Sequence, residues 1–399
     1  MALLTCGAAI SGATGEDHTV QPQEVQPIQL LAPDGKLAEN EVYGPYIAAL
    51  SAEELRELYR YMVMERRLDA EATSLQRQGQ LALWAPALGQ EAAQVGTIAA
   101  LKTSDMVFPT YREHAMALYR GIAPEELLTM FRATRHTGWD PRQHNFQVYT
   151  LVLAAQTLHA AGWAMGINQD LRMGSIPRDR AEDEIVVACI GDGATSQGDV
   201  HESMVFASSY ELPMLYFIQN NHWAISVPTR TQSRGPLANR ALGYGFEGVR
   251  VDGNDVLASY AVATKLSAEI RAGKGPKLIE SVTYRMGAHT TADDPTKYRS
   301  AQELELWEGR DPIRRYRTWL DSTGDADQSY FEQVDAESKD LASDMRKSVL
   351  ALEPIDLERV FDTVYSEPHR QVEAEKAWLK DYEAGFAEET TSTEAGGTR

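Results

Sequence analysis

The sequence predicts an α/β fold, a mainly parallel sheet with helices on both faces, followed by a helical C-terminal segment. From Glu184 on, the short β-branched runs "IVVACI", "MLYFI", "GVRVDG" and "PKLIESVTYR" alternate with helical stretches, the pattern of parallel strands joined by covering helices. After about residue 300 the chain reads as helices to its end. With 399 residues, 43% of them hydrophobic, it can bury a substantial core.

Taken in order, residues 1–40 are rich in Gln, Pro, Gly and Thr without apolar periodicity and are expected to be a mobile tail. "SAEELRELYRYMVMERRLDAEATSLQRQG" opens with Ser51 and, three residues on, Glu54, a capping box, and keeps helical spacing to Gly79. "GQEAAQVGTIAALK" and "LVLAAQTLHAAGWAMGIN" read as helices rich in Ala and Gly, suited to close packing, the second expected to be buried. "NDVLASYAVATKLSAEIRAG" supplies the helix between the last two strands. No repeat or long linker interrupts residues 41–365, expected to be a single domain with C-terminal helices. Residues 366–399 are expected to be helical and then a disordered acidic tail.

A net charge of -20 argues against nucleic acid or an anionic membrane as the main partner. The two cysteines, Cys6 and Cys189, are far apart, which leaves no disulfide framework or thiolate zinc site. Cys189 sits in an apolar run and reads as a core thiol of a reducing compartment. The opening "MALLTCGAAI" lacks a basic leader, and no stretch reaches the ~20 apolar residues of a membrane span, so a cytoplasmic location is expected.

The candidate chemistry lies where two strands end. "IVVACI" stops at Gly191-Asp192-Gly193 and "MLYFI" runs out to Asn220-Asn221, with the helical "GDVHESMVFASSYE" between them. As neighbours joined by a crossover, parallel strands ~4.8 Å apart would bring Asp192 and Asn221 to one sheet edge, where open α/β sheets bind ligands. A carboxylate and an amide oxygen are hard ligands too few to hold an ion alone, which suits magnesium shared with a diphosphate. Gly191 and Gly193 would let the backbone approach phosphate oxygens, and the next helix start offers free N–H groups. A dinucleotide G-x-G-x-x-G fails because Ser196 stands where its last glycine belongs, and "AGKGPK" lacks P-loop spacing. Each strand end alone reads as a plain turn; the two together favour a ligand site.

These residues resemble a known family. "GDGATSQGDVHESMVFASSYELPMLYFIQNNHWAIS" is similar to the thiamin diphosphate motif of the alpha subunit of the decarboxylating first component of 2-oxo acid dehydrogenase complexes. "LQRQGQLALWAPALGQEAAQVG", "VFPTYREH", "AAQTLHAAGWAMG" and "VTYRMGAHTTADDPTKYRS" match it in the same order, over roughly residues 55–320. The resemblance implies a thiamin-diphosphate-binding fold in which Asp192, Asn221 and the backbone carbonyl of Trp223 bind Mg2+. It sets Gly193 and Ala194 against the diphosphate, with Tyr111 and Arg112 as a phosphate-binding pair, the Arg as a bidentate fork. Leu151 and Leu153 would contact the cofactor's aminopyrimidine and thiazolium; by themselves they read as core helix. His289 would be the active-site histidine, preceded by Ala288 where relatives often carry Pro or His. Residues 287–300 read as a lid with Asp293, Asp294 and Arg299 available for closing contacts. Thr290 and Ser300 fall where mitochondrial relatives carry phosphorylation sites.

The family's activating glutamate lies in a second domain, which implies a separate beta subunit in an alpha-2-beta-2 assembly and a lipoyl acyltransferase core as partner. The expected reaction is oxidative decarboxylation of a small 2-oxo acid with acylation of the lipoyl group. The small Ala85 favours a branched-chain substrate, and the wording resembles actinobacterial branched-chain forms, while "HT" and "DDPT" occur in pyruvate enzymes too. A cofactor-binding but noncatalytic scaffold is the alternative of another class.

Overall fold

The computed structural model describes residues 26–135, 137–175, 184–353, 356–362 and 364–394. Five parallel strands form the sheet: β1 (Met106–Phe108), β2 (Val186–Gly191), β3 (Met214–Asn220), β4 (Glu247–Asp252) and β5 (Lys277–Val282), in the order β1-β2-β3-β5-β4. The four strands expected from the sequence are present. β1 was not expected, being three residues cut short by Pro109.

Alternation along the central strands explains why they read as continuous apolar runs. Val187, Cys189, Leu215, Phe217 and Ile279 face one core; Val186, Ala188, Ile190, Met214, Tyr216, Ile218 and Leu278 face the other. A strand buried on both faces has no polar side to show. The first core takes in α1 (Ala52–Arg77), whose Ser51 and Glu54 form the expected capping box, and α2 (Glu91–Ala99). The second is covered by α3 (Ala155–Met173) and α4 (Gly198–Ser209), the helix joining β2 to β3. α5 (Val256–Glu269) joins β4 to β5 on the first face. α6 (Ala301–Glu308), α7 (Pro312–Thr323), α8 (Gln328–Leu350), Leu357–Asp362 and α9 (Arg370–Glu394) complete the helical C-terminal part.

Two expectations change. Residues 26–40, read as tail, are anchored: Leu30 and Leu31 are buried, and their amides donate to Asp255 Oδ2 at 2.7 and 2.6 Å. Ile28 bridges Val251 at the β4 edge. The mobile-tail expectation for residues 1–25, like that for 395–399, lies outside the described residues, and helix continues to Glu394. The second change concerns α3, which begins at Ala155 after Ala154 takes a left-handed φ of 72°. It buries one side only, through Gln156, Ala160, Ala161, Ala164 and Ile167, while Leu158, Trp163 and Met165 are exposed. A Cβ added at Gly162 or Gly166 would meet nothing within 4 Å. Among the described residues no helix is long and apolar enough to cross a membrane.

Candidate active site

β2 and β3 pair in parallel with Gly191 opposite Gln219, so Asp192 follows one strand and Asn221 the other at the same sheet edge. There they line a cleft of about 220 Å³ together with Tyr111, Arg112, Leu153, Gly193, Ala194, Trp223 and His289. Nine of the ten residues that the resemblance assigns to the cofactor or its metal therefore meet. Leu151 does not: it is 59% exposed in the loop before α3, where it was read as core helix. Leu153 shares that loop, is 54% exposed, and reaches the cleft's rim.

Asp192 is 3% exposed, and its Oδ2 accepts from Thr229 Oγ1 at 2.6 Å. Burial pushes its carboxyl above the ordinary range, against the pull of Thr229 and the Arg285 charge. Asn221 donates from Nδ2 to Gln90 Oε1 at 3.1 Å and accepts at Oδ1 from the Trp223 amide at 3.2 Å. The Trp223 carbonyl accepts from Arg285 Nη1 at 2.8 Å and keeps a second lone pair. A carboxylate, an amide oxygen and a carbonyl are magnesium's ligand chemistry. Among the described residues no cluster of three His, Cys, Asp or Glu could hold an ion unaided. Buried polar atoms without partners, Gln90 Nε2, Gln156 Oε1 and Arg285 Nε, belong to residues that line the cleft, so a polar ligand fits it.

Gly193 owes its identity to the protein itself. A Cβ there would come within 2.5 Å of Ala224 Cβ, whereas one on Gly191 would meet nothing within 4 Å. Ala224 belongs to a two-residue antiparallel ladder, Trp223–Ala224 with Val227–Pro228, that packs this turn.

Arg112 is built differently from the open fork expected. Its Nη1 donates to the Pro86 carbonyl at 2.5 Å and its Nη2 to the His289 carbonyl at 2.9 Å. The guanidinium thus ties the His289 loop to the "WAPAL" segment, and lies 5.4 Å from the Tyr111 ring centroid. His289 Nδ1 lies 3.2 Å from Arg112 Nη2 and 3.3 Å from Arg285 Nη1. Guanidinium nitrogens only donate, so Nδ1 accepts and the ring proton sits on Nε2. Burial, then the Arg112 and Arg285 charges, lower this imidazole to about 3. It is neutral at neutral pH.

The loop after His289 is held by contacts the sequence suggested in part. Asp293 Oδ2 accepts from the His289 amide at 2.8 Å and from Tyr298 OH at 2.5 Å, and Arg285 Nη2 donates to Tyr298 OH at 3.0 Å. Arg299 donates to the carbonyls of Arg285, Met286 and Gly287. Asp294 caps its own turn at Thr296 and pairs with Lys297 Nζ at 3.8 Å, and Ser300 caps α6 through the Glu303 amide. Ala85, expected in the substrate pocket, is 1% exposed and is not among the cleft's lining residues; its carbonyl accepts from His114 Nε2 at 2.9 Å.

Four functional positions were missed. Arg285 was legible in principle, a cation four residues before His289. Gln219 and Thr229 were not, since their partners lie far off in sequence, nor was Glu113, which joins its near neighbour Thr110 to the distant Gln219. Glu113 is fully buried, accepts from Thr110 N and Oγ1 and from Gln219 Nε2, and so fixes the turn that carries Tyr111 and Arg112.

Comparison with known proteins extends this geometry. Residues 59–351 match the family described as dehydrogenase E1 component. The chain is 45% identical over 358 residues to the 3-methyl-2-oxobutanoate dehydrogenase subunit alpha of Mycobacterium tuberculosis, covering 90% of this chain and 94% of that one. It is 36% identical over 299 residues to the pyruvate dehydrogenase E1 component subunit alpha of Staphylococcus epidermidis, covering 74% and 77%. With the Bacillus subtilis protein of the same description it shares 35% over 330 residues, covering 78% and 86%.

Proposed function

The chain belongs to the dehydrogenase E1 component family, and on that premise we propose that it is the alpha subunit of a branched-chain 2-oxo acid dehydrogenase. It is a 2-oxo acid dehydrogenase subunit, and the family implies thiamin diphosphate. The observation that carries the reading is the convergence of Asp192, Asn221, Trp223, Tyr111, Arg112 and His289 on one cleft at the ends of β2 and β3.

Bound there, thiamin diphosphate would supply the electron sink that decarboxylation of a 2-oxo acid requires. Asp192, Asn221 and the Trp223 carbonyl would hold Mg2+, and the ion would bring back down the carboxyl that burial pushes up. Gly193, Ala194 and Tyr111 would lie against the diphosphate. His289, its Nδ1 occupied by two arginines, keeps Nε2–H for a substrate carboxylate or the departing acyl group.

The partner follows from what the chain leaves open. Its described residues hold one five-stranded sheet and a two-residue ladder, with no second α/β domain to supply an activating glutamate. Leu151, Val152 and Leu153 stand exposed in the loop that reaches the cleft rim at Leu153, and α3 presents Gly162, Gly166, Trp163 and Met165 outward. This supports a beta subunit closing the cleft in an alpha-2-beta-2 assembly that passes acyl groups to a lipoyl acyltransferase core. The substrate of the relative at 45% identity supports a 3-methyl-2-oxobutanoate type of acid. Pyruvate is the second reading, favoured by the relatives at 35% and 36%. Retention of Arg112, Asp192, Asn221 and His289 together speaks against a noncatalytic scaffold.

The test is co-expression with the beta partner, followed by decarboxylation of 3-methyl-2-oxobutanoate and of pyruvate with thiamin diphosphate and Mg2+. Turnover with the branched acid preferred is expected. Pyruvate preference would move the substrate to the second reading, and turnover of neither would end the enzymatic one.

A further inference from the structure

Behind the cleft, α1 carries two acids that the site does not use. Glu65 and Asp69 stand at i and i+4, hence on one helix face, and are 0% and 3% exposed. Neither Glu65 oxygen nor Asp69 Oδ2 has an N–H or hydroxyl donor. Residues four apart on a helix are neighbours, so the two carboxyl groups share one buried pocket that water does not reach. Two neighbouring carboxylates, buried and without donors, repel each other, and a proton held between them would satisfy these oxygens and remove that repulsion. The nearby cation does not replace it: Arg66 Nε is engaged by Glu91 at 2.8 Å and Nη1 by Asp311 at 2.7 Å, while its buried Nη2 makes no hydrogen bond to either acid of the pair.

Asp69 faces forward onto the segment that supports the cleft. Its Oδ1 accepts from Trp84 Nε1 at 2.9 Å. Trp84 to Leu88 is a mounting strip: Arg112 donates to the Pro86 carbonyl, and Thr291 N to the Trp84 carbonyl at 2.9 Å. Trp84 N in turn donates to Thr291 Oγ1 at 3.1 Å, and Met286 N to the Leu88 carbonyl at 3.0 Å. Both ends of the His289 loop and the Arg112 guanidinium therefore rest on a short segment that Asp69 holds at Trp84.

Taking Arg112 and His289 as parts of the cofactor site, as above, we propose that Glu65 and Asp69 form a proton-sharing positioning pair that fixes the Trp84–Leu88 segment and, through it, Arg112 and the His289 loop. Loss of the shared proton puts a second negative charge beside the first. The other groups facing the pair are Glu91, Arg66 and the buried Tyr149, with His114 stacked on Trp84. Of these Glu91 adds repulsion, and Arg66 is already shared between two acids. The segment then loosens as pH rises, and cofactor affinity falls with it.

Glu65→Gln supplies an N–H that cannot be titrated in place of the shared proton. On the assembled full-length enzyme, the infrared difference between wild type and Glu65→Gln at about pH 7 should show one protonated-carboxyl C=O band lost. Thiamin diphosphate affinity, followed by tryptophan fluorescence, should then differ by less than about twofold between the two. Near pH 9.5 the wild type should bind at least about tenfold more weakly than Glu65→Gln, and its 84–88 amides should exchange faster. Glu65→Leu, with no donor, should bind about tenfold more weakly already at neutral pH. An absent band, or an alkaline loss equal in wild type and Glu65→Gln, overturns the pair. A wild type that binds no thiamin diphosphate at any pH overturns the site reading instead, and the infrared and exchange results still decide the pair.

Discussion

Replacing Gly193 with alanine tests the turn on which the cleft depends. The new Cβ would sit 2.5 Å from Ala224 Cβ, more than 1 Å inside the ~3.5–4.0 Å at which carbon atoms rest. Ala224 cannot swing away as a long side chain would, because it is held in the ladder with Val227. Backbone must move, and overpacking of this kind costs about 1–3 kcal/mol. With unfolding entropy of about 2 cal/mol/K per residue over this chain, each kcal/mol lowers the melting temperature by about 1 °C. A loss of about 1–3 °C is therefore expected. The displaced turn also carries Asp192, and a shift near 1 Å at a positioning group can cost about a hundredfold in rate. The assay is a double-mutant cycle on the assembled enzyme, by melting and by thiamin diphosphate titration. Ala224→Gly should restore most of what Gly193→Ala removes, whereas Gly191→Ala, whose Cβ meets nothing, should leave stability unchanged. A Gly193→Ala protein of unaltered stability, or one that Ala224→Gly fails to rescue, would refute the reasoning.

Asp192→Ala should abolish Mg2+-dependent thiamin diphosphate binding in calorimetry; unchanged affinity would remove Asp192 from the metal site. Asp255→Ala strips the acceptor from the amides of Leu30, Leu31, Leu257 and Ala258, and should cost about 3–5 kcal/mol by denaturant unfolding. Proteolysis should meanwhile open the 26–40 segment. His114, fully buried between Tyr149 OH and the Ala85 carbonyl, is lowered by burial to about 3. Its unfolded form takes a proton near pH 6.5, so its contribution is whole above that pH and lost as pH falls toward 3. Wild type should lose about 2 kcal/mol from this group between pH 6.5 and 5, and His114→Gln should show a flatter acid limb.

The parts of the fold legible in the sequence were those whose signal is local. Buried parallel strands write continuous apolar runs, and the polar residues after them mark the edge where Asp192 and Asn221 meet. Ser51 and Glu54 announce a helix start because both ends of a capping box lie within one turn. What stayed hidden depends on distant partners. Residues 26–40 look like tail, since nothing near them shows that Asp255 will accept two of their amides. Leu151 and Leu153 read as core because an apolar run does not say whether its neighbour is in the same chain. Arg112 reads as a free fork because the carbonyls of Pro86 and His289 that occupy it are invisible in "YREH".

The outward glycines of α3 carry a consequence for how the chain is kept. Each glycine in a helix interior costs about 1 kcal/mol relative to alanine, and at Gly162 and Gly166 nothing within the subunit offsets it. Alanine at either should make the isolated subunit more stable and the finished enzyme less so, since the same methyl group bars close approach by another helix. Selection for the robustness of this chain alone would discard both glycines. In the proposed alpha-2-beta-2 assembly both would be kept for that approach, and a stability screen run on the lone subunit would then choose the wrong variants.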